Sequence, residues 1–568
     1  MEAPALPRPE RLRLLVGLPA DEQRAPRAAE PRPGSSTMTE RQRSEETRAA
    51  LPGSAAAVPP PAGKTSPASD AADATPAGEA SPLELSGAAL RRLVDAAMDR
   101  IAPHLDSLPQ QPAADTAGGA ALARSLVEPL PELPAPLDEV LELLFERAVP
   151  KSFNTAGPGY LAYIPGGGLP QSAVADLIAD AVNRYVGVFA AAPALAQLEA
   201  NVVAWFARLA GYPEAARGLL TSGGSLANFT ALVTARRERL PEQFLAGTLY
   251  ASDQAHHSVQ KAALLAGFPP ASVRSIPSDA AFRLRLDLLE ETIADDRRQG
   301  RQPFLVVANA GSTNTGAVDP LGPLADLCAR HRLWLHVDAA YGGFFLLTER
   351  GRRTLSGIER ADSIVLDPHK SLFLPYGTGA LLVRDGAALR RAHGVTADYM
   401  PPLSSDDELV DFCEISPELS RPFRGLRVWL PLKLLGAAPF RQALDEKLDL
   451  ARWAADQLRA MPEVEILAEP ELSLLAFRLA PGDPSAPAGA SGAAGAAGNQ
   501  DVDRLNRLNR DWLARVNARR RVYLTGTMLG DRFALRICVL SFRTHRDRME
   551  QALEDLRAAA REALAGWQ

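Results

Sequence analysis

Residues 363–385 read SIVLDPHKSLFLPYGTGALLVRD and place a polar pair, His369 and Lys370, between two apolar runs. Lysine is scarce in this chain, which has only six lysines among its 62 basic residues. An arginine stays protonated, whereas a lysine with a lowered pKa can act as a nucleophilic amine and form a Schiff base. The choice of lysine at position 370 therefore indicates a reactive amine, and an ordinary lysine at the end of a strand is the alternative.

Short apolar segments alternate with helical patterns through the middle of the chain. Helical spacing in residues 225–240 and 323–332 separates several strand-like segments, which read TLYASD, SVRSIP, PFLVVANAG, LWLHVDAAY, SIVLDP and GALLVRD. This alternation predicts a mainly parallel α/β sheet with covering helices. Ligands of such sheets bind at the carboxyl ends of the strands, where the candidate site residues fall.

Three motifs at these strand ends carry chemistry. TSGGS (residues 221–225) precedes a helical run, so backbone amides around Gly224 and Ser225 could hold a phosphate, although a plain glycine turn would also fit. Asp338 ends the apolar strand in LHVDAAY, where burying a carboxylate is costly unless it has a cationic partner. A helix N-cap or a structural salt bridge is the alternative role for this residue. His256 opens the helical pattern in SDQAHHSVQKAAL, and its imidazole is either structural or stacked on a planar ligand.

Together these motifs describe one cofactor. Pyridoxal phosphate requires a lysine for a Schiff base, an anion site for its phosphate, and a carboxylate that keeps the pyridine nitrogen protonated. The chain offers Lys370, the 221–225 motif and Asp338 on one predicted α/β framework. We therefore predict a pyridoxal-phosphate site.

The composition narrows the classes of partner and environment. With 568 residues, 46% hydrophobic and 23% charged, the chain can bury the core of more than one domain. A net charge of −6 gives no electrostatic case for nucleic acid or an anionic membrane. No apolar run reaches the roughly 18 residues of a membrane span, and no signal peptide is evident. Three widely spaced cysteines predict neither a disulfide framework nor a metal site, so we expect a reducing cytoplasm.

Two segments of biased composition interrupt the pattern. Residues 1–80 are rich in Pro, Ala, Arg, Ser and Glu and are predicted to be disordered. Helical spacing begins in LELSGAALRRLVDAAMDRIAPHL, at Leu83. Residues 480–500 read APGDPSAPAGASGAAGAAGNQ and predict a flexible insertion.

Four segments resemble the group II pyridoxal-phosphate decarboxylases, the family of aromatic-L-amino-acid, tyrosine, histidine and glutamate decarboxylases. These segments are TSGGSLANFTALVTAR, SDQAHHSVQKAAL, LHVDAAYGG and DPHKSLFLPYGTGALLVRD. The resemblance implies a homodimeric α/β enzyme of fold type I with a mainly parallel seven-stranded sheet. It divides the chain into a disordered extension (1–80), an N-terminal helical segment (81–150), a large cofactor-binding domain (151–440) and a small α+β C-terminal domain (441–568), where RVYLTGTMLGDRFALRICVLSF would supply strands.

The resemblance also assigns roles to individual residues. Lys370 would carry the Schiff base, Asp338 would pair with the pyridine nitrogen, and His256 would stack on the ring. The other cofactor contacts it implies are Ala340 on the opposite ring face, Gly224, Ser225 and His369 around the phosphate, and Thr313 nearby. Tyr399, on a mobile loop, would supply a proton during catalysis, and Arg424 would lie near the rim of the site.

The implied reaction is α-decarboxylation of a small-molecule L-amino acid to its amine and CO2. Tyr163 and Pro165 match substrate-lining positions of the family. Gly157 replaces a histidine, Ser371 a tryptophan and Gly377–Thr378 an aspartate–cysteine pair, so the pocket should differ in shape from that of the aromatic enzymes. Aldehyde-forming oxidative deamination, carbon–carbon lyase chemistry and a non-catalytic cofactor-binding homologue are the alternatives, and the amino acid itself stays open.

Overall fold

A computed structural model describes residues 81, 83–395, 403, 409–481 and 499–567. The predicted disordered extension, Tyr399 and most of the predicted insertion lie outside the described residues.

The central sheet has seven strands in the order β1-β7-β6-β5-β4-β2-β3. Strands β2 to β6 pair in parallel, and β7 runs antiparallel to both β6 and β1. The predicted α/β class with a mainly parallel sheet is confirmed. The strands are β1 (Arg217–Thr221), β2 (Gly247–Ser252), β3 (Val273–Ile276), β4 (Gln302–Asn309), β5 (Trp334–Ala339), β6 (Ser363–Leu366) and β7 (Gly379–Val383).

Helices cover both faces of this sheet, so its central strands place apolar side chains on both faces. In β4, Val306 and Ala308 join one core cluster while Leu305 and Val307 join another. The α-helices between the start of the described chain and β7 are α1 (Gly87–Ser107), α2 (Gly119–Ser125), α3 (Leu137–Glu142), α4 (Pro170–Val182), α5 (Pro193–Leu209), α6 (Gly224–Arg239), α7 (His257–Leu265), α8 (Leu286–Arg298), α9 (Leu321–His331), α10 (Glu349–Thr354) and α11 (Pro368–Ser371).

A second, antiparallel sheet lies in the C-terminal part, with the order β10-β11-β9-β8. Trp512 is fully buried in the core beside it and stacks edge-on against Phe477. Its strands are β8 (Val464–Ala468), β9 (Leu474–Leu479), β10 (Thr525–Leu529) and β11 (Arg532–Cys538); the remaining helices are α12 (Ala387–His393), α13 (Phe412–Ile415), α14 (Arg424–Leu435), α15 (Ala438–Arg459), α16 (Asn499–Ala518) and α17 (Arg546–Ala565).

The predicted domain boundary at residue 440 falls inside a continuous helix, since α15 spans Ala438–Arg459. The division into a large and a small domain therefore stays a prediction. Among the described residues, no helix combines the length and apolarity that a membrane span requires.

Candidate active site

A cavity of about 280 Å³ opens at the carboxyl ends of β4, β5 and β6 and the start of α6. The fold brings to it side chains that are far apart in sequence. All eight residues predicted to contact the cofactor line it: Gly224, Ser225, His256, Thr313, Asp338, Ala340, His369 and Lys370.

The anion cradle is the junction between β1 and α6. The first N–H groups of a helix have no partner within the helix and carry a partial positive charge, so this end favours an anion. A Cβ on Gly224 would lie 3.0 Å from Asp367 Oδ2 and 3.3 Å from Ala340 Cβ. Glycine at this position therefore keeps the start of α6 open.

Lys370 lies in the short helix α11 that follows β6, and its Nζ lies 2.9 Å from Asp367 Oδ2. Burial alone would lower the pKa of Lys370, but the carboxylates of Asp367 and Asp338 together raise it above its ordinary value. This direction is opposite to the lowered lysine pKa expected from sequence, because that expectation left out Asp367. The ion pair holds the lysine as an ammonium in the cofactor-free protein.

Asp367 is a site residue that the sequence analysis missed. It is 2% exposed, and its Oδ1 is buried without a hydrogen-bond partner among the described residues. Its signal was available in the sequence, since the residue directly follows β6 and stands three positions before Lys370. A buried carboxylate at the carboxyl end of a central strand is costly unless it has a cationic partner.

Asp338 is the penultimate residue of β5, and both of its carboxylate oxygens are engaged by neutral donors. Asn228 Nδ2 donates to Oδ2 at 2.9 Å, and the backbone N–H of Ala340 donates to Oδ1 at 3.1 Å. The carboxylate is 8% exposed and lines the cavity. It is an anion held in one orientation, as a partner for a protonated ring nitrogen must be.

His256 is the N-cap of α7. Its Nδ1 accepts a hydrogen bond from the backbone N–H of Ser258 at 3.2 Å and lies 2.8 Å from the Ser258 hydroxyl. Burial lowers its pKa, and the nearby Asp338 charge opposes that effect without cancelling it. The imidazole is therefore neutral, which suits contact with a flat ligand.

His369 and Thr313 are tied to the backbone around the cavity. His369 Nδ1 donates to the carbonyl of Thr378 at 2.6 Å, and burial lowers its pKa. The carbonyl of Thr313 accepts from Arg536 Nη2 at 2.5 Å, and the carbonyl of Tyr163 accepts from the same group at 3.3 Å. Arg536 on β11 thus links the C-terminal sheet to the loop that carries Thr313.

Two of the residue substitutions noted in the sequence have structural explanations. The Ser371 hydroxyl is buried and donates to the carbonyl of Tyr341 at 2.7 Å. The hydroxyl of Thr378 accepts from Arg427 Nη1 at 3.1 Å. Both side chains hold the backbone around Lys370 and His369.

Arg424 does not itself line the cavity, and its predicted place near the rim stays a prediction. Arg424 is buried, forms two hydrogen bonds with Glu418 at 2.7 and 2.8 Å, and donates to the carbonyl of Leu220. A cation paired in this way holds its own segment against β1. Tyr163 and Pro165 also lie outside the cavity lining.

The residues present fit pyridoxal phosphate. The cavity joins an amine (Lys370), an oriented carboxylate (Asp338), a neutral imidazole (His256) and a helix start kept open by Gly224. These are the groups that the cofactor's aldehyde, ring nitrogen, ring face and phosphate each require.

Comparisons with known proteins identify the family of this chain. The family described as "Pyridoxal-dependent decarboxylase conserved domain" matches residues 122–480. The chain is 34% identical over 481 residues to the aromatic-L-amino-acid decarboxylase of Bacillus atrophaeus, covering 84% of this chain and 97% of that relative.

Solved structures give the same result. A structure of Oryza sativa TDC with pyridoxal phosphate and tryptamine is similar with a TM-score of 0.77 and 30% identity, covering 85% of this chain and 99% of that one. Catharanthus roseus tryptophan decarboxylase in complex with L-tryptophan is similar with a TM-score of 0.75 and 26% identity, over 84% and 99%.

Proposed function

We propose an aromatic L-amino acid as the substrate of this chain, which belongs to the pyridoxal-dependent decarboxylase family and decarboxylates an amino acid with pyridoxal phosphate as its cofactor. The predicted family, cofactor and reaction are thereby confirmed. The residue roles and the substrate below are our proposals, and the observation that carries them is the convergence of Lys370, Asp338 and His256 on one cavity.

Lys370 is the amine that would hold the cofactor's aldehyde carbon. Its ion pair with Asp367 at 2.9 Å fixes where the Nζ lies before the cofactor enters. Gly224 and Ser225 would hold the phosphate through the N-terminal N–H groups of α6, and the His369 imidazole lines the same cavity.

Asp338 would keep a proton on the ring nitrogen, because its anionic carboxylate is held in place by Asn228 and the Ala340 amide. When bound, pyridoxal phosphate supplies an electron sink for the pair left at the substrate's α-carbon as CO2 departs. His256 and Ala340 would enclose the ring, and Thr313 would contact the cofactor from the β4 side.

Tyr399 would donate the proton that the α-carbon takes up after CO2 leaves. The residue lies outside the described residues, so this role rests on the family resemblance of its segment. General acid catalysis requires such a donor to come within hydrogen-bond reach of the α-carbon.

A group of aromatic side chains supports an aromatic substrate. The centroid of the His369 ring lies 5.7 Å from that of the Tyr376 ring. The pKa of Tyr160 is raised mainly by burial, and the nearby phenols of Tyr376 and Tyr163 raise it further. Tyr160 in turn stacks on Tyr523 with ring centroids 6.0 Å apart. Of these rings His369 lines the cavity and the tyrosines lie beyond its lining, and aromatic rings give a flat apolar side chain favourable contacts. The relatives named above act on aromatic amino acids.

The substrate is tested by measuring CO2 and amine release from L-tryptophan, L-tyrosine and L-phenylalanine against L-glutamate and L-2,4-diaminobutyrate. We expect equimolar CO2 and amine from an aromatic substrate, and none from the Lys370→Arg variant. Release from glutamate or diaminobutyrate alone would refute the aromatic assignment. Aldehyde with oxygen consumption, in place of amine, would support oxidative deamination instead.

We also propose a homodimer. Leu130 and Leu133 are 85% and 82% exposed, and the outer face of α4 exposes Val174, Leu177 and Ile178. Exposed apolar side chains of this kind mark interaction surfaces, and a second copy of this chain is the expected partner. Sedimentation tests this proposal. We expect the wild type to be a dimer and the Leu130→Asp, Leu133→Asp double variant to dimerise more weakly, whereas a monomeric wild type would contradict the proposal.

We propose that the enzyme works in the cytoplasm. All three cysteines, Cys328, Cys413 and Cys538, are free and buried. A chain that keeps three unpaired thiols fits a reducing compartment. Fractionation of cells that express the tagged chain tests this location, and recovery from an oxidising compartment would contradict it.

A further inference from the structure

A continuous path of hydrogen bonds connects Trp334 to His256 beside the cavity. Along it, Trp334 Nε1 contacts Ser363 Oγ at 2.8 Å, Ser363 Oγ contacts His336 Nδ1 at 2.8 Å, and His336 Nε2 contacts Asn228 Oδ1 at 2.9 Å. Asn228 Nδ2 then lies 2.9 Å from both Asp338 Oδ2 and Ser258 Oγ. Ser258 Oγ completes the path at 2.8 Å from His256 Nδ1.

The donor and the acceptor of every hydrogen bond in this path can be assigned, because two of the groups involved can act in only one way. An indole N–H can only donate, and an ionised carboxylate can only accept. Asp338 therefore requires the amide nitrogen of Asn228, which leaves Asn228 Oδ1 to accept from His336 Nε2–H. Ser363 accepts from Trp334, so its own proton goes to His336 Nδ1.

The same reasoning fixes the proton on His256. The backbone N–H of Ser258 donates to His256 Nδ1 at 3.2 Å, so Nδ1 has no proton and the neutral ring carries its proton on Nε2. The Ser258 hydroxyl accepts from Asn228 and is free to donate to the same Nδ1. Two independent donors thus select one tautomer.

His336 must be neutral for this path to hold. It is 2% exposed, and burial lowers its pKa to about 4 although the Asp338 charge opposes the shift. A neutral His336 with its proton on Nε2 is the donor that the Asn228 carbonyl oxygen needs. Trp334, Ser363, Asn228 and Ser258 are buried as well, so water does not replace these partners.

We propose that Asn228 is a positioning residue that fixes the Asp338 carboxylate and, by donating to Ser258 Oγ, directs the Ser258 hydroxyl proton to His256 Nδ1, with neutral His336 and Ser363 orienting its amide. This inference rests on the proposed contacts of Asp338 and His256 with the cofactor. Because the carboxylate and the Ser258 hydroxyl share one amide nitrogen, a change in the amide alters both contacts together.

The tautomers are measured first, on the full-length wild-type chain labelled with 15N-histidine and without cofactor. The signals of His336 and His256 among the eight histidines are assigned from His336→Gln and His256→Asn variants. We expect both rings to be neutral at pH 7, with protonated Nε2 and unprotonated Nδ1. A His256 protonated on Nδ1, or a charged His336, would overturn the proposal.

Substitutions then separate hydrogen bonding from shape. The side-chain amide introduced by His336→Gln can still donate to Asn228, whereas the thioether of similar size introduced by His336→Met cannot, so these two variants form a matched pair. Asn228→Leu keeps the shape of the amide but removes its three hydrogen bonds, to Asp338, Ser258 and His336. For His336→Met and Asn228→Leu we expect roughly tenfold weaker binding of pyridoxal phosphate. We also expect a kcat roughly tenfold lower at unchanged KM, a size typical of lost outer-shell contacts.

For His336→Gln we expect values within about twofold of the wild type. Equal losses in His336→Gln and His336→Met would show a purely steric role and overturn the proposal, as would unchanged cofactor binding in Asn228→Leu. If Asn228→Leu does not fold, the wild-type tautomers and the histidine pair still decide the question. Tautomers and cofactor binding are measured without turnover, so a wrong substrate assignment is distinguishable from a wrong role for Asn228.

Discussion

Asp367 Oδ2 lies 2.9 Å from Lys370 Nζ, in an ion pair whose carboxylate is almost completely buried. The lysine is therefore pre-positioned in the cavity, but as an ammonium that must lose its proton before it can attack an aldehyde. The same carboxylate that places the amine also restrains its reactivity.

Asp367→Asn should speed up covalent capture of pyridoxal phosphate by the cofactor-free protein. The carboxylate raises the pKa of Lys370, so its removal lowers that pKa and increases the amine fraction at a given pH, roughly tenfold for each unit of pKa. Stopped-flow absorbance between pH 7 and 9 measures the rate, with exposed Asp385→Asn as the control. An unchanged or slower rate in Asp367→Asn would contradict this role.

Protonation of His393 should weaken the fold at acidic pH. Burial lowers the pKa of His393 to about 4, well below its ordinary 6.5, so the unfolded chain binds a proton that the folded chain does not. Stability from this group is present above pH 6.5 and is lost as the pH falls toward 4.

His393 Nε2 lies 3.0 Å from the Thr234 hydroxyl, which itself donates to the carbonyl of Thr230. The comparison of wild type with His393→Gln isolates the effect of the charge, since the Gln amide can still donate to Thr234. The loss of unfolding free energy between pH 7 and 5 should be about 2 kcal/mol smaller in the variant. Asp319, whose pKa burial raises to about 6, acts in the opposite direction but is present in both proteins. Equal losses measured by urea denaturation would contradict the prediction.

Arg421→Met should destabilise the fold by about 3–5 kcal/mol, because it leaves the Glu199 carboxylate buried without its cation. The two side chains form an ion pair with no exposed surface, and Glu199 also accepts the Gly425 N–H at 3.0 Å. In a Glu199→Gln, Arg421→Met double variant, the unpaired charge is absent and part of the loss should be recovered. Denaturant midpoints decide this, and identical values for the single and double variants would disprove the explanation.

Tyr399→Phe should lower amine formation while leaving cofactor binding unchanged, because it removes only the proposed proton donor. Amine and CO2 release at saturating substrate, together with the cofactor dissociation constant, measure the two effects. Undiminished amine release by the variant would rule out the assignment.

Much of the fold and of the site could be predicted because both depend on local patterns. The strands β2 to β7 follow apolar runs, and the glycine, histidine, aspartate and lysine motifs stand at their ends. Strand β1 was not recognised because its five residues merge into the glycine motif that follows.

The sequence could not predict the contacts between residues that are distant along the chain and meet only in the folded structure. Asn228 meets Asp338 across 110 positions and His336 across 108, so neither contact leaves a trace in local spacing. The contact of Arg424 with the carbonyl of Leu220 on β1 spans 204 positions and is likewise invisible in local spacing.

Borohydride reduction of the pyridoxal-phosphate-loaded protein, followed by digestion and mass spectrometry of the labelled peptide, locates the lysine that holds the cofactor. We predict one pyridoxyl group, on Lys370, and none in Lys370→Arg, a variant that keeps a cation beside Asp367 but has no amine to react. A label on another lysine, or a labelled Lys370→Arg protein that still releases amine and CO2, would contradict it.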